Sequence, residues 1–249
     1  MHKQIALLLC LAASLGAQPY RSLRENARRD RIMQWAVKPD ANACTRIQEG
    51  LTDPSADIRI RASNALYWKC DRKETAKTGA KSLCRSIQLG NAHAGAWLLL
   101  GYAEPETAKA CLQKPIPKSA MVKLATSSKP VPATLAADVS RARLGDPTLL
   151  RAAFQKPSLD EALFLLAALR EIDDPESLTA AIKLLDDNSR QAPGPDFHTT
   201  RPLRNVALEA LTAKFQLKTS FPIDPTRMYT PAEIEEVRTA ATQAAKNSR

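Results

Sequence analysis

Residues 158–185 read SLDEALFLLAALREIDDPESLTAAIKLL, and the pattern inside them decides the fold. Ser158 followed three places later by Glu161 is a capping box: the serine accepts a bond from a free amide of the first turn, and the glutamate reaches back to the serine amide. Leucines, alanines and Phe164 then recur at helical spacing as far as Ile172. Asp173, Asp174 and Pro175 end that helix and open another. An aspartate can accept from exposed first-turn amides, and proline fits the first helical position without losing a bond. A second helical stripe runs from Glu176 to Leu185. The stretch spells helix, turn, helix.

The same punctuation recurs outward from this unit. Glu104-Pro105 and Asp146-Pro147 each follow one apolar helical run and precede another. Residues 59–66 (RIRASNAL) and 204–211 (RNVALEAL) share the pattern R-x-x-A-x-x-A-L, in which small alanines let a helix approach its neighbour and leucine fills the space between. Aligning the units places Pro39, Arg72, Pro105, Pro147, Pro175 and Leu217 in one column, at spacings of 33, 33, 42, 28 and 42. A period of that length with two helices per unit predicts an α-solenoid. Residues 53–66, DPSADIRIRASNAL, and 158–185 carry a resemblance to HEAT repeats of the short bacterial kind first noted in phycobilisome-lyase relatives. That resemblance spans about residues 30–217. It implies an all-α, right-handed solenoid of about six antiparallel helix pairs. The tetratricopeptide pattern is the rival, because residues 97–101 (WLLLG) match its opening, but Pro117 falls inside its second helix.

Composition agrees. With 249 residues, 44% hydrophobic and 25% charged, the chain can bury a core. Its 8 glycines and 12 aromatics disfavour sandwiches, barrels and glycine-rich phosphate cradles.

Three segments depart from the repeat. The prolines of 114–132 bracket an insertion, read as a short helix near 119–126. The loop 188–202 has no helical period and reads as a surface excursion or a functional loop. Residues 218–249 read as a C-terminal cap, with Thr230-Pro231-Ala232-Glu233 as a second capping box.

Residues 1–17 read as a secretory signal peptide: a positive start, an apolar run from Ile5 to Ala13, and small residues before Gln18. No stretch is long and apolar enough to span a bilayer. The expected location is a periplasm or the cell exterior. Of the 232 residues that remain, 18–130 hold 20 Lys/Arg against 10 Asp/Glu, whereas 131–249 hold 15 against 16. Four cysteines remain in that basic half, Cys44, Cys70, Cys84 and Cys111. In an oxidising compartment they suggest two disulfides out of three possible pairings, with buried free thiols as the other reading. The repeat columns put Cys44 and Cys70 at one edge of adjacent units, leaving Cys84 with Cys111 between neighbouring second helices.

Chemistry is sparse. His93 begins an alanine-rich helix and reads as a packing or solvent-facing residue rather than a base; His198 lies in the irregular loop. The carboxylate pairs Asp173-Asp174 and Asp186-Asp187 sit at helix ends, where capping accounts for them. No metal, cofactor or small-molecule substrate is expected. Basic Lys69, Arg72, Lys73, Lys77 and Lys81, together with Phe197, His198 and Arg201 of the loop, are the candidates for binding a partner. The expected function is a non-enzymatic, monomeric scaffold in the bacterial envelope that binds a protein, of acidic character, on a concave face lined by second helices. The alternative is a basic-groove nucleic-acid binder or a lyase-type enzyme. It is weakened by the export signal and by the lack of aromatics among the basic residues.

Overall fold

The computed structural model describes residues 19–37, 39–124, 129–196 and 198–247. The signal-peptide reading and Phe197 fall outside them. The described chain is mostly helical, with twelve α-helices: α1 Glu25–Val37, α2 Ala41–Ile47, α3 Ala56–Lys69, α4 Arg72–Gln88, α5 Ala94–Leu100, α6 Pro105–Leu112, α7 Ala133–Arg143, α8 Thr148–Ala153, α9 Leu159–Ala167, α10 Pro175–Lys183, α11 Leu203–Phe215 and α12 Pro231–Asn247. No helix among the described residues is long and apolar enough to cross a membrane.

Helices pack in two rows. Each odd-numbered helix lies against the next: α1 on α3, α3 on α5, α5 on α7 and α9 on α11, with α7 reaching the 3-10 turn Leu169–Glu171 that ends the α9 segment. The even row pairs α2 with α4, α4 with α6, α8 with α10, and α10 with α12. The odd row is most buried at its middle, where all seven residues of α5 are shielded. Close approach depends on small residues. A Cβ on Gly50 would stand 2.9 Å from the Ala62 Cβ and from the Ile32 side chain, so only glycine fits where the 3-10 turn Gln48–Thr52 meets α3.

Capping chemistry sets the helix starts. The capping box of Ser158 and Glu161 is fully formed, and Asp174 accepts from the Ser177 amide with Pro175 at the first helical position. Thr230 and Glu233 exchange the bonds of their box at the start of α12. At Asp146-Pro147 the frame is one residue later than the sequence suggests: Pro147 is the cap, and Asp146 accepts from the Thr148 amide.

Three expectations are corrected. The 119–126 insertion is not helical over its described part. Met121–Val122 forms strand β1, which pairs antiparallel with β2, Val131–Pro132, and Lys123 bridges to His93. Short prolines-and-β-branched stretches favour extended backbone. Loop 188–202 contains a hairpin, β3 Gln191–Pro193 with β4 Thr200–Pro202, whose tip is turned by Asp196 accepting from the His198 and Thr199 amides. Leu217, placed in the repeat column, opens no helix. Gln216 adopts a left-handed conformation (φ 51°) that ends α11, and the next helix begins at Pro231. Helix α12 packs on α10 and α11, continuing the even row.

Two disulfides join the basic half. Cys44 of α2 bonds Cys70, the residue capping α3, with the two Cα atoms 6.0 Å apart, and Cys84 of α4 bonds Cys111 of α6 at 5.8 Å. These are the pairings expected from the repeat columns.

Candidate binding surface

Helix α4 turns Thr75, Ala76, Gly79, Ala80, Leu83 and Ser86 inward. The opposite face carries Lys73, Lys77 and Lys81, all exposed and four residues apart, so they form one ridge. Arg85 extends that ridge by one more step; sequence reasoning missed it, although the same four-residue spacing marks it. None of these four cations makes an ion pair among the described residues. After Glu74 the helix has no acidic residue. Of the four, Arg85 lies in the last turn, where the helix end favours positive charge. Beside the ridge a groove of about 560 Å³ runs between α4 and α6, lined by Lys81, Arg85 and Lys114 with the Cys84–Cys111 bridge at its base. Lys69 is exposed at the end of α3.

Two other expected partner-binding residues are engaged internally. Arg72 reaches Glu171 at 2.8 Å. Arg201 makes a bidentate pair with Glu209 and also donates to the Pro225 carbonyl. Arg201 applies its planar fork to a half-buried carboxylate and Arg72 gives one bond to a buried one, and that use withdraws both from the surface. His198 is exposed at the hairpin tip.

Glu171 organises the inner side. It is 1% exposed, yet it receives the Tyr67 hydroxyl at 3.0 Å, the Tyr102 hydroxyl, Arg72, and the Arg170 Nε at 3.1 Å. The Arg143 guanidinium stacks 3.8 Å from the Tyr102 ring centre and donates to the Glu171 carbonyl. Arg170 lies over Trp68 at 4.0 Å. Burial, followed by the negative charge of Glu171, raises the Tyr67 hydroxyl above its ordinary value, so it stays a donor at any working pH. These contacts tie the C-terminal ends of α3, α5, α7 and α9 together across as many as 104 residues.

A second buried carboxylate, Asp53, anchors α1. Burial pushes its pKa up, but bonds from Arg28, the Ser55 amide and the Tyr20 hydroxyl outweigh that and hold it below the usual range.

His93 is 5% exposed, and its Nδ1 accepts from the Gly95 amide at the start of α5. Its Nε2 has no hydrogen-bond partner among the described residues. Burial lowers its pKa from 6.5 to about 4. Because the unfolded state takes up the proton first, stability should be full above about pH 6.5. It should fall by about 3 kcal/mol as the pH drops to about 4. Urea unfolding at stepped pH checks this. His93→Gln should flatten that part of the profile, and an unchanged slope would contradict the assignment.

The described residues hold no group of three or more His, Cys, Asp or Glu placed to bind a metal ion. Comparison with protein-family models, with curated proteins and with solved structures finds no match to this chain.

Proposed function

We propose that this chain is an exported HEAT-like α-solenoid of six helix pairs that acts as a scaffold, docking an acidic protein along the outer ridge of α4. The observation that carries this reading is the row Lys73, Lys77, Lys81 and Arg85: four exposed cations on one helix face that make no ion pair among the described residues. Exposed arginines on other helices can meet a carboxylate, as Arg61 does with Asp57 and Arg238 with Glu235. Leaving four in a row without one gives an acidic partner a continuous track, and it speeds encounter more than it adds affinity. The two-row packing, in which helix n rests on helix n+2 except across the 113–132 insertion, supports a solenoid reading. The disulfides flanking α4 hold the ridge rigid and suit an oxidising compartment.

Expression of the full chain in a Gram-negative host tests export. The expected product is periplasmic, begins near Gln18, and alkylates four cysteines only after reduction. Site-specific photo-crosslinking from Lys77 and from Lys81 then captures the partner. Capture should weaken at least tenfold in the double variant Lys77→Glu/Lys81→Glu and fall steeply with salt. A cytoplasmic product with its first residues intact and free thiols would overturn the reading. Crosslinking insensitive to charge reversal would do the same for the ridge.

A further inference from the structure

The insertion at 114–132 that interrupts the repeat builds one wall of a pocket of about 540 Å³. Ile87 of α4 and Trp97 of α5 line it together with Pro115, Ile116, Met121 and Val122 of the insertion. Met121 is 44% exposed and Ile116 only half-buried, so part of this apolar wall meets solvent. Apolar walls open to water favour an apolar occupant.

This pocket adjoins the basic groove between α4 and α6, because Gln88, Cys111 and Lys114 line both. Lys81, Arg85 and Lys114 make no ion pair among the described residues. Glu106 is the carboxylate that also lines the groove; it is exposed and lies 3.9 Å from Lys109, which balances it. Unmatched positive charge and apolar surface therefore meet at the C-terminal end of α4. From there Arg85, Lys81, Lys77 and Lys73 lead away from the pocket. Twelve helical residues at about 1.5 Å each make this row about 18 Å long. A ligand with a single anionic head could engage only the near end of it. Matching the whole row takes several carboxylates in series, and an extended polypeptide covers that length with about five or six residues at about 3.3 Å each.

We infer that the pocket takes one large apolar side chain of the acidic partner, anchoring an extended acidic segment of about five or six residues along the α4 ridge. The anchor rests on the ridge reading and adds specificity to it: charge speeds encounter, whereas a buried side chain slows release. The Cys84–Cys111 bridge ties α4 to α6 beside both hollows, so they are held in place before the partner arrives.

Fluorescence anisotropy with the disulfide-bonded protein tests this, using peptides labelled beyond a glycine spacer at the acidic end and made in both chain directions. The probes are Leu-Glu-Asp-Glu-Asp-Glu, the same peptide with serine for leucine, and the uncharged Leu-Gln-Asn-Gln-Asn-Gln. At low salt the leucine acid should bind at least about tenfold more tightly than the serine acid in one direction, the scale set by burying one leucine side chain. It should exceed the uncharged peptide by at least the same factor. Ile116→Ser/Met121→Ser should erase the preference for leucine. If that variant fails to fold, Met121→Ser changes only an exposed residue and should cut the preference at least about threefold. Equal binding of the leucine and serine acids, both above the uncharged peptide, overturns the anchor and leaves the ridge reading standing. Acids that bind no better than the uncharged peptide overturn both. Tighter binding of decanoate or of a thymidine oligonucleotide, read by displacement of the leucine acid, assigns the site to a lipid or to nucleic acid and overturns the inference. So does a lack of binding by the leucine acid up to about 1 mM.

Discussion

Removing both disulfides, as Cys44→Ser/Cys70→Ser and Cys84→Ser/Cys111→Ser, should cost the protein about 7 kcal/mol, the largest loss available from so few atoms. Each bridge closes a loop of 26 or 27 residues. In the chain-entropy account a loop of that length restricts the unfolded chain by about 3.5 kcal/mol at 25 °C. The two loops do not overlap in sequence, so their effects on the unfolded state should add. Domains are stable by only about 5–15 kcal/mol, so the fully reduced protein should lie at or beyond the edge of folding. Urea unfolding of the parent and of each double variant measures this. A shift below about 1 kcal/mol for both would show that the reduced chain keeps the same loops closed by packing alone.

Glu171→Ala should be the most damaging single substitution, at about 3–5 kcal/mol. The loss is not the value of the ion pairs, since buried pairs seldom stabilise much over an apolar replacement. It arises because two tyrosine hydroxyls and two guanidinium groups, from Tyr67, Tyr102, Arg72 and Arg170, would lose their shared acceptor in a shielded place. Glu171→Gln keeps one acceptor oxygen and should be milder by about half. Thermal or denaturant unfolding separates the two. If alanine and glutamine variants lose the same small amount, the cluster is solvated in solution.

The helices were legible because their signals are local. Asp174-Pro175 and the box of Ser158 and Glu161 operate within three residues, and the structure forms them as read. The disulfide partners were legible because a repeat period converts sequence distance into position along an edge. Where the signal was not local, reading failed. Glu171 looks like an ordinary charged residue at a helix end, and its closest partners lie 69 to 104 residues away. Arg72 and Arg201 were counted as surface charge for the same reason. Nothing near them in sequence announces the carboxylates that hold them. The 188–202 hairpin shows a different failure, of period: its strands are three residues each, too short for alternation to declare itself.

The clasp at Glu171 also changes how this molecule comes apart. An array whose units touch only their neighbours unravels from its ends, each unit opening at its own threshold. Here Tyr67 of α3 and Arg72 of α4 are bonded to Glu171 beyond α9, so the segments between them should open together rather than one by one. Closing such a contact needs most of the intervening chain to be in place first, which slows folding but makes the final step all-or-none. A chain built from local pieces thereby acquires the cooperativity of a single body.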